Sequence, residues 1–417
     1  MSGEREGNSP GFGGGPQVSG ATVDLNPSHR KSIMTRHSVA SDTADLVVVG
    51  AGIVGLGAAY AAARRGLRVI VVDRTAGPIG ATIRNFGHLC IGAQTGLARE
   101  FADTARETWL RLATDAGFWL RESGTLIAAR QGDELAVLER ASADGGVRML
   151  TAEELRRHAP LRADAVVGGA RIASDLQTDP REAASAIVRH LVALGVEFRF
   201  RTAVTAVSGI RVETTRGAID AGRVVVAINH DLDQLLPDLA ERVGVVRCAL
   251  DMMRVSATMP RTLDAPLLTG WSLLRYGRFG SYRETTALRE RMHAERPDLA
   301  ALDLNQMYTQ LPDGSLILGD SHSRGIQPAP FQPEAAFDAF LEEARALFEM
   351  EGIRVIERWQ GVYASGPDEF LIEEPEPGLH VIAATTGIGM TCGLGLAEHT
   401  LRTAIERAPQ PAQGGES

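Results

Sequence analysis

Residues Asp45-Leu46-Val47-Val48-Val49-Gly50-Ala51-Gly52-Ile53-Val54-Gly55 decide the fold of this chain. An apolar run leads into three glycines, and an alanine-rich segment, Ala58 to Arg65, follows. A second apolar run, Arg68 to Val72, ends in an acid, Asp73, eighteen residues past Gly55. Gly50 suits the tight turn out of a strand, Gly52 lets a pyrophosphate touch the backbone, and Gly55 lets helix and strand close up. Ile53 and Val54 open the helix, whose free N–H groups and positive dipole end favour phosphate. Asp73, with Arg74 beside it, is placed to accept hydrogen bonds from an adenosine ribose. Three glycines alone would mean little. Strand, turn, helix, strand and acid in that order predict a dinucleotide site.

A chain of 417 residues is too long for one ordinary core, so two domains or interleaved ones are expected. Its 44% apolar and 23% charged content is that of a soluble globular protein. A net charge of −9 leaves no basic stripe to displace counterions, which argues against nucleic acid as a partner. Cys90, Cys248 and Cys392 are few and widely spaced, so neither a disulfide framework nor a metal is expected, and a cytoplasmic location is. Lys31 is the only lysine, which removes any mechanism that needs a buried one. Leu46 to Ala63 carries no charge over eighteen residues, but its glycines read better as buried strand plus buried helix than as a membrane span. Residues 1–43 and 408–417 read as disordered tails, and Met34 is a second candidate start.

Leu97 to Arg121 carries Phe101, Ala105, Trp109, Leu112 and Phe118 at helical spacing. A strand is expected at Gly124 to Ala129, and helix from Leu135 to Leu161 with a turn at Ala143 to Gly146. Asp179-Pro180-Arg181 opens a helix through Leu194, because proline suits the first helical turn. Strands follow at Glu197 to Phe200, Arg211 to Thr214 and Arg223 to Ala227. Val245 to Leu318 alternates in a strand-like way, with Leu311-Pro312-Asp313-Gly314-Ser315 as a hairpin signal. Pro333 to Met350 reads as helix, and the acid-rich Pro367 to Pro377 stretch as a solvated turn. The expected architecture is α/β. A doubly wound, Rossmann-like cofactor domain (residues 44–92, 150–235 and 355–407) interleaves with an antiparallel or mixed-sheet substrate domain (93–149 and 236–354).

A second glycine-rich strand-to-helix turn separates two cofactors. Leu379 to Ala384 runs into Thr385-Thr386-Gly387-Ile388-Gly389-Met390-Thr391 and an apolar helix, Leu394 to Ile405. NAD has no need of a second helix N-terminus. A reduced flavin carries partial negative charge that such a terminus stabilises by up to about 2 kcal/mol, so FAD is favoured over NAD.

These features resemble the D-amino-acid-oxidase-like superfamily of FAD-dependent oxidoreductases, which includes glycine oxidase and sarcosine oxidase, from about Ala44 to Glu406. Internal motifs resemble a narrower group, the FAD oxidoreductases associated with phosphonate catabolism. The residues carrying that likeness are Arg84-Asn85-Phe86-Gly87, Leu274-Arg275-Tyr276, Leu318-Gly319-Asp320-Ser321-His322, Arg358-Trp359-Gln360-Gly361-Val362-Tyr363 and Gly389-Met390-Thr391. The chain departs from that group at His88-Leu89-Cys90-Ile91, where an apolar Met, Trp and Pro stretch is usual, and at Arg275-Tyr276-Gly277. Where sarcosine oxidase attaches its flavin through cysteine, this chain has Gly361, so the resemblance implies non-covalent FAD. The oxygen-activating lysine of sarcosine oxidase has no counterpart, which leaves oxygen and another electron acceptor both open.

The resemblance implies oxidative deamination: a hydride passes from a C–H beside nitrogen to flavin N5, and the imine hydrolyses. The donor must be the neutral amine, and neutralising an alkylammonium of pKa about 10.4 at pH 7 costs roughly 4 to 5 kcal/mol. A cationic pocket poor in carboxylates lowers that cost. Arg84, His88, Arg275, Tyr276, His322, Arg324 and Tyr363 are therefore the expected substrate contacts, the arginine forks suiting carboxylate or phosphonate oxygens. Thr82, Asn85, Gly87, Val204, Gly361, Gly387, Gly389, Met390 and Thr391 are the expected flavin contacts, and no general base is named. The expected activity is oxidation of a small anionic amine, an aminophosphonate by resemblance. The alternatives are an ordinary amino-acid or N-methyl-amino-acid oxidase or dehydrogenase, a hydroxy-acid oxidase, or a flavin-holding subunit of a larger dehydrogenase. A homo-oligomer is compatible with the sequence.

Overall fold

The structure, a computed structural model, describes residues 43–406. The expected tails, with Met34 and Lys31, lie outside the described residues except for Thr43. The chain opens with strand β1 (Thr43–Val49), helix α1 (Ile53–Ala63) and strand β2 (Val69–Val72). β1 and β2 pair in parallel, and all four residues of β2 are buried. Apart from Tyr60, α1 is built of small and aliphatic residues, and it is buried nearly all round, as expected of a helix lodged inside a larger fold. Gly50 sits at φ +105, and a Cβ there would lie 2.5 Å from the Ala227 carbonyl oxygen, so only glycine makes this turn. Gly55 faces the turn from the helix side, where a Cβ would come within 2.0 Å of the Gly50 carbonyl.

Helix α2 (Gly96–Ala116) buries the predicted stripe, Phe101, Ala105, Trp109 and Leu112. Residues Thr125–Ala129 form the expected strand. The helical expectation over Leu135 to Leu161 needs correction. Helix Gly132–Ala143 and helix Ala152–His158 are separated by a strand, Val147–Thr151. Thr151 ends that strand by capping the next helix, its hydroxyl accepting from Glu154 N while the Glu154 carboxylate accepts from Thr151 N. Helix α3 (Pro180–Ala193) starts at the predicted proline, with Asp179 accepting from Arg181 N.

Strands β3 (Glu197–Arg199) and β4 (Gly217–Val226) extend the parallel layer on either side of β1 and β2, and Leu379–Thr386 later adds to it in parallel with β4. Strand β5 (Val246–Thr258) begins the region expected to alternate as strands, and here a second correction falls. Helices Gly270–Leu273, Gly277–Gly280, Arg283–Glu295 and Pro297–Ala301 occupy its middle. Strands β6 (Met307–Gln310) and β7 (Leu316–Gly325) form the predicted hairpin. Helix α4 (Glu334–Leu347) follows.

Strand β8 (Glu351–Glu376) is 26 residues long and takes in most of the stretch read as a solvated turn. Its first half pairs antiparallel with β5 and its second half with strand β9 (Leu379–Thr386). β9 then feeds helix α5 (Gly389–Glu406), which packs against α1 and α2. One 15-stranded mixed sheet results, running β6-β7-β5-β8-β9-β4-β1-β2-β3 to one of its edges. The parallel cofactor side and the antiparallel side are thus continuous. Each has its own apolar core: one gathers α1, α2 and α5, the other packs beneath β5, β7 and α4.

Candidate active site

The two glycine turns meet at one cavity of about 490 Å³. Gly50, Gly52, Ile53 and Val54 line it from the first turn, and Gly387, Gly389 and Met390 from the second. Asp73, Arg74, Thr82, Asn85, Val204 and Gly361 also reach its wall. Both helix N-termini, α1 and α5, therefore present N–H groups and positive dipole ends to the same space.

The first cradle is braced by side chains from outside the motif. Asp73 Oδ2 accepts from Ala51 N at 2.7 Å, while Oδ1 accepts from Thr75 N at 2.8 Å and Thr75 Oγ1 at 2.6 Å. Each carboxylate oxygen keeps further lone-pair capacity for a ribose hydroxyl. Thr82 Oγ1 accepts from Ile53 N at 2.8 Å, so α1 is capped from a distant loop and not by its own Gly52. Asn85 ties that loop together: its amide donates to the carbonyls of Ala81 and Thr82, and its oxygen accepts from Gly87 N. Gly87 (φ +67) does not line the cavity; a Cβ there would lie 1.9 Å from the Thr178 carbonyl oxygen. Thr391 is likewise behind the wall, accepting from Cys90 N at 3.1 Å, and Trp109 Nε1 donates to the Met390 carbonyl. These two bonds fix the second cradle to the rest of the fold.

The antiparallel sheet supplies the opposite wall by register. Residues directly opposed across strands point to the same face. Cys248 on β5 opposes Arg324 on β7 and Tyr363 on β8; Leu250 opposes His322 and Gly361. Leu250, Gly361 and Tyr363 line the cavity, so His322 and Arg324 project from the cavity-side face as well. Arg275 comes from the segment after helix Gly270–Leu273 and donates to Asp303 Oδ1 at 2.7 Å. Arg324 donates to the other oxygen of the same carboxylate at 2.6 Å. Asp303 holds this position at φ +46, in the left-handed region that aspartate tolerates better than most residues. Burial opposes its charge, but the Arg275 and Arg324 guanidiniums outweigh that and hold it below the usual carboxylate range. Two arginines on one acid leave one surplus positive charge, which Asp320 offsets only while it is ionised.

His322 is almost wholly enclosed, and its Nδ1 lies 3.0 Å from the Asp303 carbonyl oxygen. Burial, then Arg275, drive its pKa down. Its Nε2 lies 3.5 Å from Asp320 Oδ2. Burial pushes the Asp320 carboxyl up to about 7, with Arg275 acting against it. Tyr276 and Tyr363 are both pushed up, first by burial and next by Cys90 and Cys248 respectively, so both phenols stay protonated.

His88 is buried off the cavity wall. Its Nε2 sits 2.5 Å from Thr125 Oγ1, which donates to Asp175 Oδ2 at 2.6 Å. Asp175 Oδ1 accepts from Gly92 N at 2.6 Å. Cys90 brings its sulfur within 4.8 Å of this pair, but burial, then Asp175, push its thiol well up. A protonated thiol and a carboxylate already hydrogen-bonded on both oxygens make a packed polar network, not a ligand set for a cation. Arg84 is exposed at the cavity rim and donates to the Gln360 carbonyl at 3.2 Å. Of the residues read from sequence as substrate contacts, Arg84 and Tyr363 line the cavity; Arg275, Tyr276, His322 and Arg324 gather beside it, and His88 lies beneath. The expectation of a pocket poor in carboxylates needs correction, because Asp303 and Asp320 both stand among these residues. In the sequence Asp320 stands only within the motif Leu318-Gly319-Asp320-Ser321-His322, and Asp303, at the close of the helical stretch, gives no signal.

The family described as DAO, FAD dependent oxidoreductase, matches residues 45–402, and the chain belongs to it. No curated protein matches the chain. Glycine oxidase from Bacillus cereus is similar in fold at TM-score 0.70 and 18% identity, over 88% of this chain and 96% of that one. Iminodiacetate oxidase from a Chelativorans species is similar at TM-score 0.68 and 19% identity, over 88% and 97%. L-α-glycerophosphate oxidase from Mycoplasma pneumoniae, with FAD bound, is similar at 0.69 and 16%, over 87% and 95%. The protein is thus an FAD-dependent oxidoreductase. Its cavity suits FAD: two helix N-termini for the pyrophosphate and the flavin ring, Asp73 for the ribose, and an apolar floor of Ile382, Ala383 and Ala384. Among the described residues, no helix is long and apolar enough to cross a membrane.

Proposed function

We propose that the chain oxidises a small amine bearing an anionic group, which Arg275 and Arg324 anchor through their surplus positive charge. The single observation that carries this reading is the sharing of one Asp303 carboxylate between the two guanidiniums, beside a cavity walled by Tyr363. FAD, when bound, supplies a two-electron acceptor. The chain's own residues hold the anionic end, keep the two tyrosines neutral beside the reacting carbon, and exclude water through Leu250, Val362 and Met390.

The motif resemblance favours an aminophosphonate. A second reading, an amino acid or N-substituted amino acid, is supported by the fold shared with glycine oxidase and iminodiacetate oxidase, and one surplus charge matches one carboxylate. Oxygen and a separate acceptor protein or quinone are both compatible with the site. Anaerobic flavin bleaching tests the reading. The purified protein is mixed with aminoethylphosphonate, its hydroxylated and N-methyl relatives, glycine, sarcosine, proline, iminodiacetate and D-amino acids. Loss of yellow colour with one of them is expected. Bleaching only by glycerophosphate or a hydroxy acid would overturn it. Peroxide release against dye reduction then separates oxidase from dehydrogenase.

A further inference from the structure

Resting on that reading, we propose that the Asp320 carboxylate removes the proton from the substrate's ammonium group, and that His322 Nε2 accepts the hydrogen bond of the acid so formed. The geometry carries the assignment. Asp320 Oδ2 and His322 Nε2 face each other at 3.5 Å. The His322 ring is held at its other nitrogen by the Asp303 carbonyl, which can only accept. The hydrogen-bond network therefore assigns the proton to Nδ1 and leaves Nε2 as a bare acceptor. Two acceptors opposed in a buried space repel unless a proton comes between them. The Asn305 side chain approaches the Asp320 carboxylate and lowers its pKa against the larger rise from burial, but closes no hydrogen bond to Oδ1. A buried carboxylate oxygen without a donor is costly, and an ammonium group carries three donors.

The charged and titratable groups around Asp320 narrow the choice of proton carrier. Arg275 and Arg324 stay charged, and Asp303 is held ionised between them. Tyr276, Tyr363 and Cys248 are pushed up by burial and stay neutral. Asp320 and His322 are what remains to take a mobile proton, and Asp320, raised to about 7, is matched to accept it near neutrality. In the step an ammonium N–H bond breaks and an Asp320 O–H bond forms. The nitrogen keeps the freed lone pair, and the proton transfer itself needs no further reactant. Bound FAD would supply the two-electron acceptor for the hydride of the adjacent C–H. The anion at Arg275 and Arg324 and the nitrogen at Asp320 fix the substrate at two ends.

The test pairs Asp320→Asn with Asp320→Glu, each first shown to hold FAD by its visible spectrum. With an amine that wild type oxidises, anaerobic stopped-flow reduction is followed from pH 5 to 10. Wild type should gain rate through a group near pH 7. Asp320→Asn should lose about 100-fold or more at pH 7 and recover as pH approaches the amine's own pKa. Asp320→Glu should restore the limb at a shifted pH, because the longer side chain places its carboxylate differently against His322 and Arg275. Infrared difference spectra on adding 2-aminoisobutyrate, which has no α C–H to oxidise, should show a protonated carboxyl band in wild type that Asp320→Asn lacks. An unchanged pH profile and an unchanged infrared band in Asp320→Asn overturn the assignment while leaving amine oxidation intact. If Asp320→Asn does not fold, an unshifted limb in Asp320→Glu overturns it instead. Failure of every amine to bleach wild type is a separate result, which removes the proposed function itself.

Discussion

The two walls of the cavity are made in different ways. The cofactor wall is mostly backbone, with N–H groups at two helix N-termini and glycines where no side chain fits. The facing wall is mostly side chains, drawn from β5, β7, β8 and two intervening loops. Backbone cradles depend on local sequence and tolerate almost no substitution at the turn. A side-chain wall depends on strand register and can change its chemistry one residue at a time.

The sharpest break in that comparison is on the backbone side. Gly50→Val should abolish FAD retention, because its Cβ would overlap the Ala227 carbonyl at a φ closed to β-branched residues. A colourless purified protein is the expected outcome; a yellow one would show that the turn can move. On the side-chain side, Arg275→Gln should raise KM for an anionic amine about 10- to 100-fold while FAD content stays full, since charge-assisted hydrogen bonds contribute about 1.5 to 3 kcal/mol. An equal loss with an uncharged amine would place Arg275 outside substrate binding.

A third outcome concerns stability. The unfolded chain releases the Asp320 proton near pH 4, whereas the native state holds it to about 7. The stability tied to that proton is full at low pH and is lost as pH rises through 7. The melting temperature of Asp320→Asn should therefore gain on wild type between about pH 4 and 7; parallel curves would show the carboxyl titrating normally. The smallest effect is expected at Thr82→Val, which removes the cap on Ile53 N and should cost about 1 kcal/mol in thermal melting with a modest loss of FAD affinity.

The same contrast explains what could be read from the sequence. The cofactor turns were legible because strand, glycines, helix and acid lie within thirty residues of one another, in the order that the chemistry needs. Thr82 was legible only as a neighbour of Arg84-Asn85-Phe86-Gly87, since nothing local says that its hydroxyl caps a helix twenty-nine residues back. The arginines and His322 were legible by residue type, but their positions came from register, which pairs Cys248 with Arg324 and Tyr363. Asp303 and Asp320 were missed as site residues because the cost of an ammonium ion argued for an acid-free pocket. That argument holds for a passive electrostatic wall and not for a group that removes the proton. Val147–Thr151 was missed as a strand because five residues between two helical patterns carry too little periodicity to separate.

β8 has a mechanical consequence. One uninterrupted strand is laced to β5 along its first half and to β9 along its second, so a single beam crosses from one side of the cavity to the other. Opening the molecule like a clamshell would require that beam to snap. Traffic in and out of the site therefore has to use openings in the cavity wall that leave this beam unbroken.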